Sequence, residues 1–445
     1  MISYFFLDVF IVFLSFIIIN HNKSLTFYHP GTILLLYHVF TNTLRFFSVM
    51  NGSDLAFLDF RRIEGANIEE LMRALFYADI GLLSSSIAIA IAENTYIKTA
   101  KRIQNIPINR KLLNGILAFT IPLGIFGATT QLYIPTIDAN FTDAEGNNGF
   151  SFAAIISTWF GLSMLALIYF RGFKVKYLLP LLIYLFIIAI QGANRYRLVL
   201  PCMFLLICYL YHYKLKWPKP MQFVFLFVFI LLTLPLKEVG KLIQEGGSIT
   251  DVSTLFKESF NSTSNGSSGD QQFLDQFAMT LTEIDKKGKI YYGGTIIPLL
   301  LLPIPRSGWA EKPTLNQWQV DIASKNRPFD KLGSIATIYG ESYANFRLAG
   351  VVFLPALLFY FLTIWYRKIK NRNMLDMGKF LYTLIFVCMI QVLRDGFISL
   401  FLFPVLINMP LFLIYVLHRF TNTHKKKQLK RNEKNNFNRS FTPSI

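Results

Sequence analysis

Arg195 and Arg197 flank Tyr196 in the turn Gly192-Ala193-Asn194-Arg195-Tyr196-Arg197, between two apolar runs. A guanidinium presents a planar fork that pairs two hydrogen bonds with a phosphate. Such a pair beside a bilayer is a candidate clamp for the pyrophosphate of a lipid. The alternative is that both side chains snorkel to lipid head groups at a helix end.

A second group follows the apolar run Tyr291 to Pro305. Arg306, Trp309 and Lys312 are set among Pro303, Pro305 and Pro313, whose rings restrict the backbone and hold these side chains at one height. Trp309 offers a ring face for stacking on a sugar, and Arg306 and Lys312 can neutralise phosphate. The alternative is an aromatic and basic anchor at the membrane surface.

The third group lies in Gly333 to Arg347. Ala336, Gly340 and Ala344 recur every fourth residue, which on a helix makes one small face for close packing. Thr337, Glu341 and Asn345 make a neighbouring polar face. A carboxylate where a helix enters a membrane is expensive unless used or paired. Glu341 is a candidate general base or sugar anchor. It is equally a candidate for a structural ion pair with Arg347 or Arg306. Tyr339, Tyr343 and Asn345 are its candidate partners in binding a substrate.

Other charges have simpler readings. Arg394-Asp395 reads as an ion pair or turn near the end of a span, and Arg45 as a snorkelling residue. His38 reads as a buried polar residue. Metal and nucleotide chemistry lack their signatures. There is no His-Glu-x-x-His, no phosphate loop and no Asp-x-Asp. Asp143-x-Glu145 and Glu283-x-Asp285 are looser acid pairs, which are weak evidence for a metal. No cofactor and no metal are expected.

The elements that must position these residues are membrane spans. Hydrophobic residues make up 53% and charged residues only 16%, against about 25% charged in a soluble domain. The mean hydropathy is +0.42. Runs long enough to cross a bilayer lie near 1–19, 31–50, 74–92, 112–134, 151–170, 177–191, 198–213, 221–237, 348–366, 379–397 and 399–418, about eleven in all. The run Tyr291 to Pro305 is too short to span and reads as re-entrant or interfacial. The first run lacks a basic leader and a cleavage site, so it reads as a span.

The net charge of +18 does not indicate nucleic acid. The basic residues sit in short loops: Lys98 to Lys111, Arg171 to Lys176, Lys214 to Lys219, Arg367 to Lys379, and the tail from Arg419. That bias places these loops in the cytoplasm, the N-terminus outside and the long loop outside. The expected organisation is an N-terminal bundle over 1–237 of about eight helices, a large extracytoplasmic loop over 238–347, about three helices over 348–418, and a basic tail over 419–445. Cys202, Cys208 and Cys388 all lie in apolar runs, so no disulfide framework is expected.

The chain resembles the O-antigen polymerases (Wzy-type), which polymerise oligosaccharide repeat units. The matching stretches are Phe27-Tyr28-His29-Pro30-Gly31, Gln191 to Arg197, Pro305 to Pro313, and Gly340-Glu341-Ser342-Tyr343-Ala344-Asn345-Phe346. Arg347 departs from the pattern, standing where a second glycine would follow. The resemblance implies an all-α, GT-C-like glycosyltransferase of the inner membrane. Its substrate would be an oligosaccharide on undecaprenyl pyrophosphate, and its partners the bilayer, a chain-length regulator and a flippase. A sugar hydroxyl of one unit would attack the anomeric carbon of the growing chain, expelling undecaprenyl pyrophosphate. Glu341 would assist the hydroxyl. Arg195, Arg197 and Arg306 would hold the pyrophosphate, and Trp309, Lys312, Tyr339, Tyr343 and Asn345 the rest. The rivals are a flippase for the same lipid, expected to line a mid-membrane cavity with charge, and a ligase, expected to use an outer histidine.

Overall fold

The computed structural model describes residues 1–22, 25–52, 67–95, 110–133, 148–190, 196–224, 273–301, 309, 317–323, 337–370, 377–401, 410, 413, 416 and 417. Among these all regular structure is helical. The helices are α1 (Ile2–Ile19), α2 (Pro30–His38), α3 (Leu44–Met50), α4 (Ile68–Asn94), α5 (Arg110–Tyr133), α6 (Asn148–Arg171), α7 (Val175–Ile190) and α8 (Tyr196–His212). After them come α9 (Phe273–Lys287), α10 (Ile297–Leu301), α11 (Gln317–Ile322), α12 (Thr337–Ile369), α13 (Met377–Asp395) and α14 (Phe397–Phe401). A π-helical turn, Val39–Thr43, joins α2 to α3 into one rod.

Five of these rods are long and apolar enough to cross a membrane: Ile2–Ile19, Pro30–Met50, Ile68–Asn94, Thr337–Ile369 and Met377–Asp395. Shorter apolar helices cover Leu113–Thr129, Ile156–Arg171, Val175–Ile188 and Leu198–His212. The chain is an α-helical membrane protein. The spans expected near 221–237 and 399–418 lie mostly outside the described residues. On α1, Phe6, Phe10, Phe13 and Ile17 are exposed, a surface suited to lipid, where nothing is gained by hiding apolar side chains from water.

Helix α4 is the axis of the bundle and packs against α12, α1 and α9. Its start is set by a capping box, in which Asn67 accepts from the Glu70 N–H at 2.8 Å and Glu70 accepts from the Asn67 N–H at 3.1 Å. Its far end is capped by Arg367 of α12, which donates to the carbonyls of Ala92 (2.5 Å) and Thr95 (2.6 Å). A cation there also complements the helix dipole. At that same end His29, fully buried, bonds Glu93 at 2.9 Å and caps α2 through the Gly31 N–H. The Phe27 N–H donates to the Lys216 carbonyl at 2.9 Å. The ends of three basic loops thus meet at one end of the bundle.

The segment placed in the outer loop behaves differently from a polar loop. Its helix α9 lies against α4 and α12 with Phe273, Leu274, Phe277, Ala278, Leu281 and Ile284 buried. The boundary expected at 347/348 falls inside α12, whose first turns, Thr337 to Asn345, are fully buried. Arg45 does not snorkel. It is 2% exposed and pairs with Asp275 of α9. Within Tyr291 to Pro305 the described helix is only the five-residue α10.

Candidate functional site

At the end of the bundle opposite Arg367, α12 breaks. Phe346 (φ −143°) and Arg347 (φ 55°, ψ −143°) leave helical geometry before the helix resumes. The second conformation favours glycine and strains other residues. It is held by the Arg347 side chain. That guanidinium donates to Asp285 of α9 and lies over the Tyr343 ring, with Cζ 5.4 Å from its centroid.

Asp285 is the hub. Its Oδ2 accepts from Arg73 of α4, and its Oδ1 accepts from Arg347 and from the Tyr343 hydroxyl at 2.7 Å. Arg73 also donates to the Tyr343 hydroxyl at 3.0 Å and lies over the Tyr77 ring at 5.3 Å. The rings of Tyr77 and Tyr343 are 5.8 Å apart. Three helices therefore bring two guanidiniums, one carboxylate and two phenols together. One positive charge is left over within the cluster. The side chains of Arg73, Asp285 and Arg347 are 38%, 33% and 25% exposed, so solvent reaches them. The arrangement can receive an anion, and the aromatic pair offers an apolar surface beside it.

Beneath this surface lies a buried brace. The last carbonyls before the break, Ala344 and Asn345, accept from the N–H groups of Tyr291 and Tyr292 at 3.0 Å each. This satisfies acceptors that a helix end otherwise leaves orphaned. Asn345 accepts from the Gly293 N–H and donates to Thr295. Glu341 accepts from the Thr295 hydroxyl (2.7 Å) at one oxygen and from the Phe397 N–H (2.6 Å) at the other. Gly396, at φ 87°, leaves room for the Glu341 carboxylate where a Cβ would overlap it.

Nearby, Lys289 pairs with Asp321 of α11, and the Tyr291 hydroxyl donates to the Trp318 carbonyl at 3.1 Å. Burial pushes the Asp321 carboxyl up. The hydrogen bonds from Lys289 and Gln317 outweigh that and hold it below the usual range.

The expected residues fare unevenly. Tyr343 and Asn345 stand at the site, Tyr343 in the solvent-reaching cluster and Asn345 in the brace. Glu341 is a correction. It is 0% exposed with both oxygens engaged, so it braces the site and does not face a substrate hydroxyl. Arg347, named as a possible partner, pairs with Asp285 instead. Tyr339 is a second correction: it is 2% exposed and packs into the bundle against Gly81, where a side chain on α4 would overlap its ring. Gly340 makes only ordinary contacts with Thr280 and Phe277. Trp309 is 42% exposed. Arg195, Arg306 and Lys312 lie outside the described residues, and Arg197 is described by its place in the first turn of α8 only.

Arg73, Asp285 and Tyr77 were not among the expected residues. The signal was available for Arg73, which sits four residues before Tyr77 at the start of a span, on the side where the charge bias expects few cations. Of the acid pair Glu283-x-Asp285, Glu283 is buried with Lys286 at 3.1 Å while Asp285 takes the two arginines. Arg394 and Asp395 do pair, at 3.5 Å. Comparison with protein-family models, with curated proteins and with solved structures returned no match for this chain.

Proposed function

We propose that the chain is a membrane glycosyltransferase that joins oligosaccharide repeat units carried on undecaprenyl pyrophosphate. The observation that carries this reading is the cluster of Arg73, Asp285, Arg347 and Tyr343 at one end of the bundle. The departing pyrophosphate gains negative charge as the glycosidic bond breaks, and fixed cations beside it lower that barrier. Asp285 orients both guanidiniums before substrate arrives, so little reorganisation is needed. Tyr77 and Tyr343 supply the stacking surface for a sugar ring. The resemblance supports the same reading, and Arg347 occupies its glycine position in a glycine-like conformation.

In this reading the cluster faces the outside of the cytoplasmic membrane, as the charge bias of the loops requires. Glu341 and Asn345 act as positioning residues. The flippase reading expects charges lining a mid-membrane cavity. Ionisable groups do meet there, at Asp8, His38 and Asp79, but they are fully buried against one another.

The test is where single repeat units accumulate in Arg73→Ala and Arg347→Ala cells with normal protein abundance. Units displayed outside as single repeats without long chains are expected. Chain extension should fall on the order of 10²–10³-fold, the loss typical of one transition-state contact. Arg347→Lys should recover part of it, because charge survives and the fork does not. Units trapped on the cytoplasmic face would overturn the polymerase reading in favour of transport.

A further inference from the structure

One acid of α1, the histidine of α2 and one acid of α4 meet at a second place in the bundle, six residues along α4 from Arg73. Asp8, His38 and Asp79 each fall near the middle of a rod long enough to span, and are 0%, 0% and 1% exposed. The His38 Nε2 lies 3.0 Å from Asp8 Oδ1 and 3.2 Å from Asp79 Oδ1. All three ligand atoms lie within 4.8 Å of one another. Two carboxylates and one imidazole at the centre of a bilayer are costly unless something neutralises them.

Two buried atoms here lack a partner, Asp8 Oδ2 and the Tyr339 hydroxyl. Tyr339 comes in from α12, buried within the bundle, with Asp79 near enough for its charge to act on the hydroxyl. Thr43 lies beside Asp8. Buried polar atoms are normally paired. Polar groups from four segments therefore converge on one point, where His38 bonds Asp8 while Asp8 Oδ2 and the Tyr339 hydroxyl stay without a partner.

We infer that Asp8, His38 and Asp79 form a binding site for a divalent transition-metal ion of the zinc class, which ties α1, α2 and α4 together at mid-membrane. Two carboxylates with a neutral imidazole carry two negative charges, which a divalent ion cancels. Ligands about 2.0–2.1 Å from a tetrahedral zinc stand about 3.3 Å apart, close to the 3.0 and 3.2 Å found here. An imidazole nitrogen favours zinc over magnesium or calcium, which want six or more oxygens and retain water. The cysteines lie on α8 and α13, away from the site, so a thiolate-seeking ion is not favoured.

The outer partners fit the same purpose. Asn42 reaches the His38 Nδ1 at 3.1 Å. The atom placed there is the amide Nδ2; exchanging it with the amide oxygen, which occupies the same envelope, lets Asn42 accept from Nδ1–H and leaves the Nε2 lone pair for the ion. The π-turn Val39–Thr43 begins at the residue after His38 and sets Asn42 and Thr43 in register with the ligands. Such turns inside α-helices often mark functional positions.

This inference is independent of the glycosyltransferase reading, and its test needs no activity. The full chain is expressed with zinc in the medium, purified in detergent, desalted and measured for zinc by mass spectrometry. About one equivalent per chain is expected for the unaltered protein. Asp79→Asn and His38→Ala should each lose it, while Asp321→Asn, an acid outside the bundle, should retain it. Asp79→Asn keeps shape and serves if His38→Ala fails to fold. A chain that elutes as a single folded species and holds no more zinc than Asp79→Asn would overturn the site.

Discussion

Glu341 is fully buried with both oxygens engaged, which favours a brace over a base. A lone carboxylate in an apolar segment signals use or pairing, and both oxygens are indeed used. Their partners are a hydroxyl and a backbone N–H brought from Thr295 and Phe397, which no local pattern announces. Two variants separate brace from base. Glu341→Gln turns one acceptor into a donor and leaves a buried group unpaired, at a cost of about 1–3 kcal/mol. Gly396→Ala introduces no new acid chemistry but pushes into the same carboxylate at a φ of 87°. If Glu341 braces, both should lower the thermal midpoint and shorten the polymer. Loss of polymer in Glu341→Gln at an unchanged midpoint, with Gly396→Ala active, would return Glu341 to the role of base.

Among the elements, α9 decides how the long polar stretch is used. Its apolar residues recur at helical spacing, but Asp275, Glu283, Asp285 and five other polar residues dilute the mean hydropathy until the stretch reads as a loop. The stripe nonetheless docks on α4 and α12. Arg45 then clamps it from α3, with Nε donating to Asp275 Oδ1 at 3.1 Å and Nη2 to Oδ2 at 2.6 Å. Breaking one side of a buried pair costs about 3–5 kcal/mol, whereas replacing both partners with apolar residues can be neutral. Arg45→Ala should therefore destabilise the protein strongly, and Arg45→Met with Asp275→Leu should restore much of the loss. Equal loss in the double variant, measured by thermal unfolding in detergent, would show that the pair does more than close the charge.

At the scale of the whole molecule, the ends of the bundle are chemically distinct. His29, Glu93 and Arg367 share one end, and Arg73, Asp285 and Arg347 the other. A reporter fused after Asn265 should therefore read the extracytoplasmic side, and one after Lys426 the cytoplasm. If both read the same side, the outward placement of the arginine cluster fails. The sequence by itself determined the helical class and the position of the long apolar rods, though α4 and α12 start six and eleven residues before the expected runs. Those features depend on local hydropathy, which needs no knowledge of neighbours. Only the tertiary structure decided which polar residues meet. Arg73 reaches a carboxylate 212 residues away, and His38 stands between acids 30 and 41 positions distant in chain order. In a membrane every buried charge must find a partner, but which partner depends on helix rotation and packing, and a hydropathy pattern holds neither.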